Sequence, residues 1–261
     1  MIVTVITPTL DAMSYLPACV QSARSQKSDR ADVEHVVVDG GSSDGTVEFA
    51  RSAGCTVLTG KDEGIFDAIN KGSFNSNGAL LGFLGADDLL LPGALDAVVR
   101  AHERHGARWL VGRIRWIDAR GIGHGDQSPP PSWVTAPMLA SLGWNCVPHP
   151  STYIHREFFE QLGGFDKKLK YSGDYDFFVR ARQFDSFVGI PRTLSCFRRH
   201  GGNMSMRPDA AHLAEIEAIA ERFGPSAPWQ RLAYRYFLKL WLNGGSLPWF
   251  ARKRIDAVRA R

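Results

Sequence analysis

Long apolar runs are missing from this sequence of 261 residues. No run approaches about 18 residues without a charge, which is the length that a membrane-spanning helix needs. The first ten residues, MIVTVITPTL, also lack the basic segment and the cleavage site of a secretory signal. These absences count against a membrane-spanning or secreted protein, and we expect the chain to stay in the cytosol.

Cysteines are few and scattered, and glycine-rich phosphate loops are absent. The chain has four cysteines: Cys19, Cys55, Cys146 and Cys196. None is in C-x-x-C spacing, which argues against a zinc knuckle and favours reduced, buried thiols. After the first predicted strand the chain reads TPTLDA, where a dinucleotide-dependent oxidoreductase would carry G-x-G-x-x-G. A sugar nucleotidyltransferase would need a basic, glycine-rich loop there, so both enzyme classes are disfavoured.

The composition is that of an ordinary globular protein. Hydrophobic residues make up 44% and charged residues 22% of the chain, which suits one large α/β domain with a tail. The net charge of +4 hides an asymmetry, because nine basic residues and one acidic residue lie from Arg222 onward. The body is therefore mildly acidic and the tail strongly basic. We predict no nucleic-acid partner.

The stretch from Leu80 to Pro92, LLGFLGADDLLLP, organises the rest of the chain. Its apolar first half predicts a fully buried, central strand of a parallel sheet. Two adjacent carboxylates, Asp87 and Asp88, follow, and Pro92 suits the first turn of a helix over 93–105. Ligands bind beyond the carboxyl ends of such strands, so the pair predicts a cation and polar-ligand site. The alternative is that an aspartate here only caps the helix.

Strands and helices alternate through the first half of the chain. Strands are predicted at 3–7, 34–38, 56–59 and 80–84, with amphipathic helices between them. This alternation is typical of an α/β protein with a doubly wound, mostly parallel sheet. We then expect a strand at 109–117, edge or antiparallel, a loop over 121–137, and strands at 151–154, 187–190 and 194–198. Helices are expected at 156–162, 174–183, 209–223, 229–242 and 247–260.

Carboxylates follow strand ends or open helices at three places, and the predicted fold would bring them to one crevice. Asp39 ends the second strand and could accept the imide N–H of uracil or thymine, or the N1–H of guanine. Ordering its own loop as an Asx turn is the alternative. A divalent ion at Asp88 would neutralise a diphosphate. Asp174 opens a helix and could be a plain cap, and His200 lies in a glycine-bearing loop within reach of a metal or phosphates.

Six segments, in this order and spacing, resemble the family 2 glycosyltransferases of the GT-A fold. They are ITPTL, VVVDGGSSDGT, DEGIFDAINKG, FLGADD, GGFD and GDYDFFVR. The resemblance is closest to small bacterial enzymes of exopolysaccharide, O-antigen and glycolipid synthesis, including the colanic-acid type. It covers residues 2–205 and implies a GT-A, Rossmann-like sheet flanked by helices, with a helical tail that lies outside the shared pattern.

The resemblance also implies roles for individual residues. The donor-binding residues would be Thr7, Pro8, Thr9, Asp39, Asp62, Asp67, Asn70, Lys71 and Asp87. Asp88 and His200 would hold a divalent cation, Mn²⁺ or Mg²⁺. Asp174 would be the general base of an inverting transfer, and His149 would contact the acceptor. The implied partners are a UDP, dTDP or GDP sugar and a glycan or lipid-linked acceptor.

The resemblance suggests a division of the chain and also shows two departures. Residues 1–105 would bind the nucleotide sugar, residues 106–205 the acceptor, and residues 206–261 would form a basic amphipathic tail.

Gly85 stands where many relatives have an acid or amide, and Gly173 where many have Glu. These departures leave a catalytically silent nucleotide-sugar-binding or scaffold protein of the same fold as the alternative. The Q-x-x-R-W signature of processive synthases is absent, which favours transfer of a single sugar.

The basic, aromatic tail has two interpretations. Its helices could rest on anionic lipid, which would place the protein peripherally at the inner face of the cell membrane, near a lipid-linked acceptor. They could instead cover the sheet or form a dimer contact. The oligomeric state stays open.

Overall fold

The computed structural model describes residues 1–26, 28–203 and 209–244. Within them, one sheet contains strands β1 Ile2–Thr9, β2 Asp32–Asp39, β3 Thr56–Thr59, β4 Leu80–Phe83, β5 Leu89–Leu90, β6 Trp109–Ile117, β7 Gly123–Gln127, β8 Thr152–His155 and β9 Val188–Arg198. The helices are α1 Leu16–Arg24, α2 Thr46–Ser52, α3 Ile65–Phe74, α4 Ala94–His105, α5 Ala136–Ser141, α6 Arg156–Gln161, α7 Gly173–Phe184, α8 Ala210–Phe223 and α9 Pro228–Gly244. A short 3-10 helix, His149–Ser151, precedes β8.

The first half of the chain forms the parallel part of the sheet. The strand order is β3-β2-β1-β4-β8-β6-β9-β5, and β7, which is not in this order, pairs with β6. The strands β3, β2, β1 and β4 are parallel to one another, as the β-α-β alternation requires. The predicted central strand is confirmed, because β4 lies between β1 and β8 and all four of its residues are buried. Its carboxyl end therefore opens at the middle of the sheet.

The second half adds mixed pairing to this sheet. β8 is antiparallel to β4 and β6, and β6 is parallel to β9. The prediction of β6 as an edge strand is wrong, since it lies between β8 and β9. The antiparallel prediction is confirmed for its pairing with β8 and β7. Buried and exposed residues alternate only from Arg113 onward, whereas Trp109–Gly112 is buried without interruption. The alternating sequence pattern therefore describes only the second half of the strand.

Two other predictions in this half are corrected. The expected loop over 121–137 contains β7 and the start of α5. The β7 sequence, GHGDQ, has little strand propensity, but pairing with β6 and an Arg115–Asp126 ion pair of 2.8 Å stabilise it. The two strands expected at 187–190 and 194–198 are one strand, β9. Pro191 lies inside it and lacks an N–H, and the register to β6 shifts there instead of ending.

Helices cover both faces of the sheet and build three apolar clusters. One cluster lies on the side of α1 and α4, and a second on the side of α3, α6 and α7. The third joins α5 and α7 to the tail helices α8 and α9 through Ile219 and Leu238. The tail helices expected at 209–223 and 229–242 are confirmed, while the one at 247–260 lies outside the described residues. In the described part of the chain, no helix combines the length and apolar character needed to cross a membrane.

Candidate active site

A cavity of about 320 Å³ opens at the carboxyl ends of β1 and β4. It also reaches the first turns of α3 and α7. Five of the residues that the sequence singled out line it together: Pro8, Asp87, Asp88, His149 and Asp174. This is the edge where an open α/β sheet binds ligands. The fold thus brings residues from both halves of the chain to one crevice.

Asp39 orders the loop that follows β2. Its side chain accepts hydrogen bonds from the backbone N–H groups of Gly41 and Ser42, at 2.9 and 2.8 Å, and from the hydroxyl of Thr9, at 3.0 Å. Burial would raise the pKa of this carboxyl, but the bonds from Ser42 and its neighbours hold it below the usual value. These contacts match the loop-ordering alternative, and recognition of a base by Asp39 stays a prediction.

Thr7 and the four candidate donor-binding residues on and before α3 do not line the cavity. The Thr7 hydroxyl is fully buried and 2.9 Å from Nε2 of His35. Asp67 forms an ion pair with Lys71 at 2.8 Å. The amide of Asn70 bonds both the N–H and the carbonyl of Phe165. These side chains hold loops in place, as does Asp62, which accepts the N–H of Gly64, and their donor-binding roles stay predictions.

Asp88 is buried at the turn between β4 and β5. The antiparallel pairing of β5 with β9 brings the backbone N–H of Arg198 to Asp88 Oδ1, at 2.9 Å. The guanidinium of Arg198 donates to the carbonyl of Asp87 at 2.8 Å. Burial, and then the charge of Asp87, raise the pKa of Asp88 well above its usual value. A cation beside this carboxylate would relieve both effects.

The residues at this turn fit an oxygen-preferring divalent cation. A Cβ on Gly85 would lie 2.7 Å from Asp87 Oδ1 and 2.9 Å from Asp88 Oδ2, so both carboxylates converge on the space that a side chain here would fill. In the described ranges, no cluster of three or more His, Cys, Asp or Glu side chains is arranged to hold a metal. Mg²⁺ and Mn²⁺ sites in nucleotide-dependent enzymes often use one or two carboxylates and complete the shell with substrate phosphates and water. Two aspartates satisfy that requirement.

His200 lies at the same place but bonds Asp87. Its Nε2 is 2.8 Å from Asp87 Oδ2, which also accepts from the Asn203 amide at 3.0 Å. The imidazole stacks on the ring of Tyr15, with centroids 5.2 Å apart. The loop after β9 therefore fixes Asp87 directly. A role of His200 as a metal ligand stays a prediction and would require it to leave this hydrogen bond.

Asp174 lies in the first turn of α7, on the other side of the cavity. The N-cap of this helix is Ser172, so the interpretation of Asp174 as a plain cap is wrong. Asp174 Oδ2 accepts a hydrogen bond from the Asn145 amide at 2.8 Å, and His149 Nδ1 is 3.7 Å from the same oxygen. A carboxylate at a helix N-terminus is favoured by the helix dipole. Asp174 is thus held as an acceptor that faces the cavity.

His149 is set among aromatic rings. Phe83, Phe165 and Phe178 surround it, with ring centroids 5.3 to 5.9 Å away. Burial lowers the pKa of His149, and the charge of Asp174 only partly opposes this. Its Nε2 is buried and has no hydrogen-bond partner within the described residues. A neutral imidazole with an unpaired nitrogen at the cavity wall can donate to or accept from a bound ligand.

Packing explains why glycine stands at position 173. A Cβ there would be 2.6 Å from the ring of Phe66, which lies on α3 and lines the cavity. A glutamate at this position would displace that ring. The departure from the family pattern is therefore coupled to Phe66.

Sequence reasoning missed several residues that the structure places at the site. Arg198, Asn203, Asn145 and Tyr15 all contact the aspartates or His200. Arg198 also brings a basic group beside the aspartate pair. No local pattern marks these residues, since each lies tens of residues away in sequence from the group it contacts. Three of them nevertheless stand near residues that were singled out: Asn145 near His149, and Arg198 and Asn203 near His200.

Known proteins resemble this chain over most of its length. The model of the glycosyl transferase family 2 matches residues 4–163. An uncharacterized glycosyltransferase of Mycobacterium tuberculosis is 30% identical over 204 residues, covering 74% of this chain and 72% of its own. A PGL/p-HBAD biosynthesis glycosyltransferase of Mycobacterium bovis is 31% identical over 187 residues, or 68% of each chain.

Solved structures agree on the fold. S. aureus TarS 1-349 in complex with UDP-GlcNAc matches with a TM-score of 0.65 and 18% identity, over 93% of this chain and 72% of its own. Two other TarS structures are matched over 60% and 44% of their length. The mannosyltransferase PcManGT from Pyrobaculum calidifontis, in complex with GDP-Man and Mn²⁺, matches with a TM-score of 0.59 and 20% identity, over 99% of this chain and 75% of its own.

These matches confirm two predictions from the sequence. The fold is the α/β, GT-A type, with a mixed sheet flanked by helices and followed by C-terminal helices. The family match spans more than half of the chain and includes the aspartate pair. This protein belongs to the glycosyl transferase family 2.

Proposed function

We propose that this protein is an inverting, metal-dependent glycosyltransferase that moves one hexose or deoxyhexose from a nucleotide-diphosphate sugar to a hydroxyl group. The acceptor is a glycan or a lipid-linked molecule of surface polysaccharide or glycolipid synthesis. One observation carries the proposal: Asp87, Asp88 and Asp174, from opposite sides of the sheet edge, line the same cavity. The diphosphate needs a cation that carboxylates can hold, and the hydroxyl needs a carboxylate that can take its proton. Both kinds of carboxylate line this one cavity.

The donor is a UDP, dTDP or GDP sugar. Two neighbours of this fold are described with UDP-GlcNAc and with GDP-Man, which supports this class of ligand. Residues 1–105 would bind it, with the carboxylate of Asp39 facing the base and Pro8 and Thr9 beside the nucleoside. Residues 106–205 would bind the acceptor, and residues 206–261 form the basic tail.

Asp174 would act as the general base. Its carboxylate accepts the proton of the acceptor hydroxyl while that oxygen bonds to the anomeric carbon. The bond from this carbon to the diphosphate oxygen breaks with its electron pair leaving on the diphosphate. Attack from the opposite face inverts the configuration. His149, kept neutral by burial, would hydrogen-bond the acceptor without adding a positive charge near Asp174.

Asp88 would hold the divalent cation, with the carboxylate of Asp87 beside it. The space left by Gly85 supports this assignment. When bound, the cation supplies the positive charge that stabilises a departing diphosphate. One neighbour of this fold is described with Mn²⁺, and we propose Mn²⁺ or Mg²⁺ here. A lipid-linked acceptor would place the protein at the cytosolic face of the cell membrane.

The test is nucleotide binding, measured by calorimetry and by thermal shift. UDP, dTDP, GDP, CDP and ADP are compared, each with and without Mn²⁺ or Mg²⁺, on the wild type and on Asp88→Asn. We expect one of the first three to bind, and the metal to strengthen binding in the wild type by about 100-fold but hardly in the variant. Asp96→Asn, in the first turn of α4 where the side chain contacts Ser28 and Arg100 and does not line the cavity, is the matched control and should behave as wild type.

Each other outcome changes the proposal. If no nucleotide binds, the proposal of a donor site is wrong. If a nucleotide binds but its sugars are neither transferred nor hydrolysed, the protein is a silent binding or scaffold protein of this fold. If metal strengthens binding equally in Asp88→Asn, the cation is held elsewhere.

A further inference from the structure

The tail helix α9 carries large apolar side chains on its outer side. Leu238 faces inward and is fully buried in the cluster with α5 and α7. Trp229, Leu232, Tyr236, Phe237, Leu240 and Trp241 are 48% to 74% exposed. Their spacing of three and four residues puts them on one stripe of the helix. In a helix that only covers a core, the large apolar side chains face inward, whereas most of those on α9 face outward.

A second segment extends this stripe. Trp133, from the chain before α5, is 46% exposed. Its ring centroid lies 5.6 Å from that of Trp241 and 6.1 Å from that of Phe237. We call Trp133 together with the six exposed residues of α9 the α9 face. Because two segments form it, the face is a surface of the folded protein and not only a property of one helix.

Basic residues are frequent on α9 and on both sides of it in the sequence. Arg231, Arg235 and Lys239 are four residues apart and so form a row along the helix. Arg231 lies 3.8 Å from Glu217, Arg235 donates to the carbonyl of Ser141, and Lys239 lies over the ring of Trp144. This half-buried row therefore contacts the body of the protein and lies beside the exposed stripe. The sequence from 222 to 255 contains seven basic residues and no acidic residue. Exposed Trp, Tyr and Leu within so basic a segment are the composition of helices that lie in a membrane interface.

We propose that the α9 face docks on an anionic lipid surface. Charge argues against the other occupants. A second copy would bring two helices with no acidic residue against each other, and residues 245–261, with five basic and one acidic residue, would place like charges together as well. A nucleic acid would match the charge but not the exposed apolar stripe. Anionic lipid satisfies both, because its acyl chains accept the apolar side chains and its head groups pair with the cations.

The docked orientation would bring the acceptor side of the cavity near the lipid. Arg235 and Lys239 contact the segment 141–144, and the next residue, Asn145, bonds Asp174. A lipid-linked acceptor could thus reach Asp174 without leaving the surface. This link to the acceptor rests on the proposed function, whereas the docking itself goes beyond it and stands on the tail alone.

The experiment is vesicle cosedimentation of the full chain. Vesicles of phosphatidylcholine with phosphatidylglycerol are compared with pure phosphatidylcholine, using wild type and the double variant Leu240→Gln with Trp241→Gln. We expect binding to the anionic vesicles, and a loss of about tenfold or more in the variant. The matched control is Phe74→Gln with Ile122→Gln, which are 49% and 51% exposed and lie away from α9. It should bind as wild type.

Three results would overturn the proposal. They are no binding of the wild type to anionic vesicles, equal binding by the double variant, and a dimer in sedimentation equilibrium that the double variant dissolves. Nucleotide binding is measured on the same samples. If no nucleotide binds, the proposed donor site is refuted and the docking proposal is unaffected. Nucleotide binding by the double variant would show that its fold is intact.

Discussion

The two sides of the cavity hold their carboxylates differently. On the proposed donor side, Asp88 accepts the backbone N–H of Arg198 at the end of β9, and Asp39, beside the cavity, accepts those of Gly41 and Ser42 in the loop after β2. On the acceptor side, Asp174 is held by the amide of Asn145, with His149 among three phenylalanine rings beside it. The donor side is thus fixed by sheet topology, and the acceptor side by side-chain packing.

This difference suits different chemical tasks. A carboxylate that accepts several backbone N–H bonds, like Asp39, stays ionised and binds a ligand through a fixed oxygen. A carboxylate held by fewer groups and facing a cavity, like Asp174, keeps an oxygen that can take a proton. On the proposed function, the donor side would therefore bind its ligand while the acceptor side takes part in the reaction.

Replacing the acceptor-side carboxylate should have the largest effect. Asp174→Asn keeps the shape and removes the proton acceptor, so we expect the transfer rate to fall by about 1,000-fold or more while nucleotide affinity stays within about twofold. Rates are measured with the donor that the binding assay identifies. Asp185→Asn, at the other end of α7, is the control and should transfer normally. Loss of nucleotide binding in Asp174→Asn would contradict the separation of the two sides.

A titrating group lies beneath the donor side. Burial, and then the charge of Arg24, lower the pKa of His35 from 6.5 to about 4. The unfolded chain therefore binds a proton between these pH values that the folded chain excludes, so stability is lost as pH falls through this window. The loss should reach about 3 kcal/mol between pH 6.5 and 4.

Urea unfolding at pH 6.5, 5 and 4 checks this. His35→Gln has no such proton to exclude, so its free energy of unfolding should fall less steeply with acid than that of the wild type. His124→Gln, at an exposed site, is the control and should keep the wild-type slope. An unchanged slope in His35→Gln would show that acid acts elsewhere in the protein.

The donor side was predictable because its geometry follows from local pattern. A buried run such as LLGF, followed by two aspartates, indicates a central strand, and the pairings of β4 confirm it. The same pattern predicts that ligands bind at the edge where this strand ends. The tail helices were also predictable from their spacing. Which of their faces would be buried was not, because that depends on α5 and α7, which the sequence does not place beside them.

The acceptor side was predictable only through family resemblance. Asn145 contacts a residue 29 positions away, and no periodicity encodes such a contact; on the donor side the same holds for Arg198, which bonds a residue 110 positions away. Gly173 looked like a departure that weakened the site, whereas the ring of Phe66 accounts for it. Strand β6 was misplaced for a similar reason, since its neighbours are set by chain segments far away in sequence.

Replacing Asn145 tests how the acceptor side holds its carboxylate, and it has the smallest expected effect of these substitutions. Its amide N–H donates to Asp174 while its oxygen accepts the N–H of Val147 at 2.9 Å. Asn145→Ala removes both bonds, and we expect kcat to fall by about tenfold with the KM for the donor unchanged. Asn75→Ala, an asparagine at the end of α3, is the control and should leave both constants unchanged.

Asn145→Asp separates the two contacts. It keeps the oxygen that Val147 requires, removes the donor to Asp174 and places a negative charge beside it. If Asn145 positions the base, this variant should transfer no faster than Asn145→Ala. If Asn145 only orders its own loop, Asn145→Asp should keep nearly the wild-type rate, and the acceptor side would then be held by its phenylalanine rings alone.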